Sequence, residues 1–182
     1  MRVLNYLFVF TLSLFMLSCS GSRLEIGETS GKSGINYSDS KDLWKKLKSE
    51  NEDSYSYTVN SISWTGNGSR THISVKDGTV IRREYTYYKQ DRNEDGEPID
   101  IAIESYIETG EEIGNNAEGF DPLLIDELYE TCFSEYLNVN REENTIYFDT
   151  DENGIISNCG FVEKGCVDDC FIGFRISEFK WL

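Results

Sequence analysis

Four of the residues best equipped for chemistry are thiols: Cys132, Cys159, Cys166 and Cys170. In an exported chain an even set of cysteines is expected to oxidise, so structural disulfides come ahead of a redox pair or a four-thiol zinc site. Cys166 and Cys170 flank the run Val167, Asp168 and Asp169, one residue longer than the two-residue gap of thioredoxin-like motifs. The two carboxylates beside them disfavour the thiolate that redox work requires. Cys132 falls on the inward stripe of a predicted helix, and Cys159 shares a strand face with Ile155 and Phe161. A staple between those two is geometrically reasonable, with Cys166 and Cys170 then closing their own loop. Four cysteines nevertheless allow three connectivities, and spacing alone leaves them open.

Oxygen ligands come next. DRNEDG places Asp91, Asn93 and Asp95 at positions 1, 3 and 5 of a calcium-type loop with Gly96 at position 6, and DTDENG repeats the arrangement with Asp149, Asp151, Asn153 and Gly154. The bidentate Glu due at position 12 is replaced by Ala102 in the first loop and Gly160 in the second. Weak calcium binding at Asp91, Asn93 and Asp95 is the most these loops suggest, because Asp, Asn and Gly also crowd ordinary turns. The single histidine, His72, sits in the alternating run THISV, where a sheet position is expected. HExxH, GxSxG and glycine-rich phosphate-loop patterns are missing, so no catalytic residue and no cofactor are indicated.

The fifth cysteine reads differently. An apolar run from Val3 to Leu17 follows the basic Arg2 and ends at Ser18 and Cys19. It is too short for a comfortable span but fits a signal-peptide core. A small residue directly before Cys resembles the bacterial lipobox, with Met16 where Leu is usual. The expected organisation is therefore a lipoprotein signal peptide over 1–18, an acylated Cys19 opening a flexible polar tether over 19–40, and one folded domain over 41–182. With 33 acidic against 17 basic residues and a net charge of −16, the surface repels nucleic acid.

These residues need elements to hold them. Ser40 is expected to cap a short helix through KDLWKKLKSE that docks by Trp44. Tyr55 to Lys89 reads as a three-stranded meander with its second turn at Asp77-Gly78. Residues 90–119 are acidic and glycine-rich and read mainly as a long loop, with one short strand at IDIAIESYI. A second helix is predicted from Asp121 as N-cap, with Pro122 at its first position. NTIYFDT, IISNCGFV and FIGFRISEFKWL then supply three more strands. Helix, three strands, helix, three strands predicts an α+β domain, an antiparallel sheet of about six strands with two helices on one face. A β-sandwich with peripheral helices is the second choice.

Taken in order, Trp44, YSYTV, VKDGTV, ETGEEIG, IDELYETC, CG, CVDDC and the closing FRISEF resemble a family of small bacterial lipoproteins known only as a domain of unknown function. The resemblance implies a secreted, lipid-anchored, single-domain protein and lends no reaction, cofactor or catalytic residue. The expected function is a non-enzymatic binding or interaction module of the bacterial cell envelope. It would be anchored through lipid on Cys19 and would offer a protein or glycan partner an aromatic surface at Tyr55, Tyr57, Tyr85 and Tyr87. A hydrolase or metal-dependent enzyme using the acidic loop 90–119 is one alternative, and an inhibitor or protective protein is another. Oligomeric state is left open.

Overall fold

The computed structural model describes residues 26–182. The expected signal peptide, Cys19 and the first part of the tether lie outside the described residues. Helix α1 (Tyr37–Glu50) is followed by strands β1 (Tyr55–Ile62), β2 (Asn67–Lys76), β3 (Thr79–Arg92) and β4 (Pro98–Thr109). A short 3-10 turn, Gly110–Glu112, leads to helix α2 (Ile125–Thr131), which widens into a π-helical turn, Cys132–Tyr136. Strands β5 (Asn144–Thr150), β6 (Ile156–Glu163) and β7 (Ile172–Trp181) complete the chain. All seven strands form one antiparallel sheet in the order β4-β3-β2-β1-β7-β6-β5.

This corrects the expected fold of six strands with two helices on one face. The added strand is β4, twelve residues long, inside the stretch read mainly as loop. It pairs with β3 from Arg82↔Thr109 to Arg92↔Pro98 and forms the sheet's outer edge. Ile99, Ile101, Ile103 and Ile107 are all exposed there, so no buried face reinforces the strand pattern against the acidic background. The helices are also shorter than an equal partnership with the sheet requires. Residues 121–124 stay outside the helix, with Leu124 extended at φ −77° and ψ 154°, and the Tyr57 hydroxyl donates to the Leu123 carbonyl. Glu127 Oε2 then accepts the Leu124 N–H at 2.7 Å, so the helix starts four residues after the predicted cap.

The first helix begins earlier than its pattern suggests. Asn36, not Ser40, is the N-cap, accepting the Asp39 N–H at 2.8 Å. Ser40 is fully buried, where its hydroxyl donates to the Gly154 carbonyl at 2.7 Å and meets the Tyr129 hydroxyl at 2.6 Å. That polar knot ties α1 to α2 and to the β5–β6 turn. The described end of the expected tether, 26–40, is likewise docked. Ile26 is buried, Ser30 bridges Asn36, and the Asp149 carboxylate accepts the N–H groups of Lys32 and Ser33. Its polar composition hid those backbone contacts.

The core lies over the inner face of the sheet, where Tyr55, Tyr57, Val59, Ile73 and Val75 are buried by strand alternation. Trp44, 1% exposed, stacks on Trp181 with centroids 5.5 Å apart and meets Tyr55 edge-on at 5.0 Å. Cys132 and Cys159 are both fully buried and form a disulfide, joining the π turn to β6 with Cα atoms 5.8 Å apart. Cys166 and Cys170 form the second disulfide, with Cα atoms 6.2 Å apart in the β6–β7 loop.

Candidate functional site

The first and last strands meet in the middle of the sheet, and their pairing stops early. β1 and β7 are in register from Tyr55↔Trp181 to Thr58↔Glu178, shift by a bulge, and pair last at Val59↔Ile176. Beyond that point β1 continues to Ile62 beside β2, while β7 runs back to Ile172 beside β6. The two strands part, and a cavity of about 570 Å³ opens between them, within the size range of small-ligand sites.

Glycines make the parting feasible. Gly160 of β6 faces Gly173 of β7. A Cβ on Gly173 would come within 2.1 Å of the Cys159 carbonyl oxygen, and one on Gly160 within 2.3 Å of the Ile172 carbonyl oxygen. Gly173 also adopts φ +145°, a conformation that L side chains rarely reach. Only this glycine pair lets β7 press against β6 and turn away from β1.

The cleft has three walls. Asn60, Ser61 and Ile62 come from β1, and Ser69 and Thr71 from β2. Gly173, Phe174 and Arg175 come from β7, with Asp168 to Phe171 of the disulfide-closed loop beside them. Arg175 lies over the Phe171 ring, 4.1 Å from its centroid, and the Ser63 hydroxyl donates to Asp169 at 2.8 Å. The third wall is Gly119 and Phe120, the end of the acidic segment after β4. A neighbouring hollow of about 310 Å³ shares Ser61 and Ser69 and is faced by Tyr85 and Tyr87.

Phe120 is held by a buried ion pair. Arg83 of β3 and Glu108 of β4 are opposite one another on the inner face, 1% and 3% exposed at the side chain, with Nη1 and Oε2 2.9 Å apart. Glu108 also accepts the N–H groups of Gly114 and Asn116 and the Asn116 side-chain amide, each at 2.8 Å. Arg83 donates to the carbonyls of Asn116, Glu118 and Phe120. The Phe120 N–H donates to the Thr71 hydroxyl at 2.9 Å. Residues 110–120 are thus wound around one guanidinium and one carboxylate. Burial pushes the Glu108 carboxyl upward, but the donors from Gly114, Arg83 and Asn116 outweigh it and bring it to about 2.

The anticipated aromatic surface is corrected here. Tyr55 and Tyr57 are fully buried and Tyr85 is 7% exposed, stacked on Tyr106 with centroids 5.0 Å apart. Odd positions of β1 share the covered face, so their hydroxyls serve the core. Tyr55 accepts the Ile125 N–H at 3.1 Å. Of the four, Tyr87 alone is half-buried, and with Tyr85 it faces the open hollow. Burial lifts the hydroxyls of Tyr55 and Tyr57 well above their usual range.

Asp91 ends up on β3, and Asn93 and Asp95 in the β3–β4 hairpin. Asn93 Oδ1 accepts the N–H groups of Asp95 and Glu97, and Arg92 donates to the Gly96 carbonyl at 2.6 Å. Asp151 does the same in the second loop, accepting from Asn153 and Ile155. The calcium-like spacing therefore builds side-chain-to-backbone turns in both places. Among the described residues no group of three or more His, Cys, Asp or Glu side chains is placed to hold a metal. His72 pairs with the Thr58 hydroxyl at 2.9 Å, away from the cleft lining.

Comparison with protein-family models, with curated proteins and with solved structures finds no match. The cleft itself went unanticipated because it depends on pairing between the two ends of the chain. One signal pointed to it: single glycines inside the strand-like runs NCGFV and FIGFR, which mark close backbone approach.

Proposed function

We propose that this chain is a non-enzymatic binding module of the bacterial cell envelope, carried on a lipidated Cys19 and resembling lipoproteins of a domain-of-unknown-function family. The observation that carries the reading is the cleft where β1 and β7 part, a cavity of ligand size between two strands that pair along the rest of their length. Its lining supports binding over catalysis. Cys170 is locked in a disulfide, and the lining otherwise offers hydroxyls, one amide, two carboxylates and a guanidinium. Among the described residues no helix is long and apolar enough to cross a membrane.

Ser69 borders both hollows and is only partly buried, so Ser69→Trp should fill the cleft entrance while the core stays intact. In a pull-down from the protein's own envelope, the wild-type chain should retain a partner that Ser69→Trp loses at unchanged melting temperature. Equal retention by both proteins would move the binding face elsewhere.

A further inference from the structure

We infer that the cleft accepts a short, extended, cationic peptide segment as an added strand. The inference rests on the binding-module reading and names its class of ligand. Both strand edges that face the gap are open. β1 runs three residues past its last partner on β7, and β7 has four residues, 172–175, before that pairing begins. An unpaired strand edge presents alternating N–H and C=O groups, and another strand is the ligand whose own backbone satisfies them. β4 carries such an edge at an exposed rim of the sheet. Here two of them face each other across a walled cavity of about 570 Å³.

A side chain adds to the unsatisfied set. Asn60 belongs to the β1 wall of the cleft, and its Oδ1 is buried without a hydrogen-bond partner. The preference for positive charge comes from the rim. The charged side chains that line the cavity are Asp168, Asp169 and Arg175, two carboxylates to one guanidinium; the guanidinium lies over the Phe171 ring and Asp169 accepts from the Ser63 hydroxyl. Asp168 and Asp169 remain exposed at the mouth, in a chain of net charge −16. Phe120 and Phe174 supply apolar contact in the same cavity. Alternating basic and apolar residues on an extended backbone match both features.

The test uses the full chain in mild detergent and a blocked, fluorescently labelled peptide alternating Lys and Val. Saturable binding that weakens with salt is expected, with slowed amide exchange at residues 60–62 and 172–175. Neutralising the rim with Asp168→Asn and Asp169→Asn together should raise Kd about twofold to twentyfold, the range for two partly exposed charge contacts. Methylating the peptide's backbone nitrogens should weaken binding about threefold or more, because strand pairing uses those donors. Equal affinity for the methylated peptide, or for one alternating Glu and Val, would overturn the inference. If the peptide fails to bind while an envelope glycan fraction slows exchange at the same amides, the ligand class is wrong and the binding module stands. If neither acts there, both fall.

Discussion

Replacing Glu108 with Ala should lower the free energy of unfolding by about 3–5 kcal/mol, because it leaves the Arg83 guanidinium buried without its counter-charge. Arg83 is 1% exposed and its remaining partners are backbone carbonyls. In a domain of this size that loss corresponds to a fall in Tm of roughly 6–20 °C. The effect should be local as well as global, since the N–H groups of Gly114 and Asn116 lose their acceptor. Acid should reproduce part of it. The Glu108 carboxyl lies at about 2 in the folded chain, below its ordinary value of 4.5. Its stabilisation is therefore complete above about 4.5 and is lost as pH falls from there through about 2. Equilibrium unfolding of wild type and Glu108→Ala as a function of pH checks both statements. The difference between them should shrink across that window, and a difference independent of pH would show that the ion pair contributes little.

Removing the buried disulfide with Cys132→Ala and Cys159→Ala should cost about 3–4 kcal/mol, the chain-entropy value for a loop of this length. The sequence separation is 27, and both residues are completely buried, so the substitution also removes packed sulfur from the core. The second pair makes an internal comparison. Cys166 and Cys170 are separated by only 4, in an exposed loop, and opening them should cost about 2 kcal/mol or less. Urea unfolding of the two double variants should rank them in that order. A larger loss from the exposed pair would mean that the 164–171 loop stabilises the sheet more than the staple to β6 does.

Much of the fold was legible because it is local. The alternation in YSYTVNSI, the Asp77-Gly78 turn and the apolar pattern of the last three strands each give a period and a boundary within ten residues or so, and the structure places strands there. Asp77 and Gly78 both take positive φ, as the turn requires. β4 was hidden for the opposite reason. An edge strand exposed along its first eight residues lacks the buried stripe that separates strand from acidic loop. The tyrosine row was visible as a row, but its direction was not. Whether the odd or the even face of β1 is covered depends on where α1 and α2 dock, and that is a property of the assembled core.

The site was the least legible part. Asn60, Arg175 and Phe120 are separated by long stretches of chain and share a cavity because β7 returns to pair with β1. The acidic segment after β4 did contribute, as a wall held in place by Glu108 and Arg83. Conversely, the calcium-like spacing was plain in the sequence and became turn chemistry.

Site-directed photocrosslinking tests the central claim most directly. A photoreactive residue at Ile62, which lines the cleft and is 50% exposed, should give a discrete adduct in the protein's own envelope. The same residue at Tyr147 of β5, 40% exposed and outside the cleft lining, should give none. An adduct at Tyr147 with none at Ile62 would contradict the assignment of the β1–β7 cleft as the binding site.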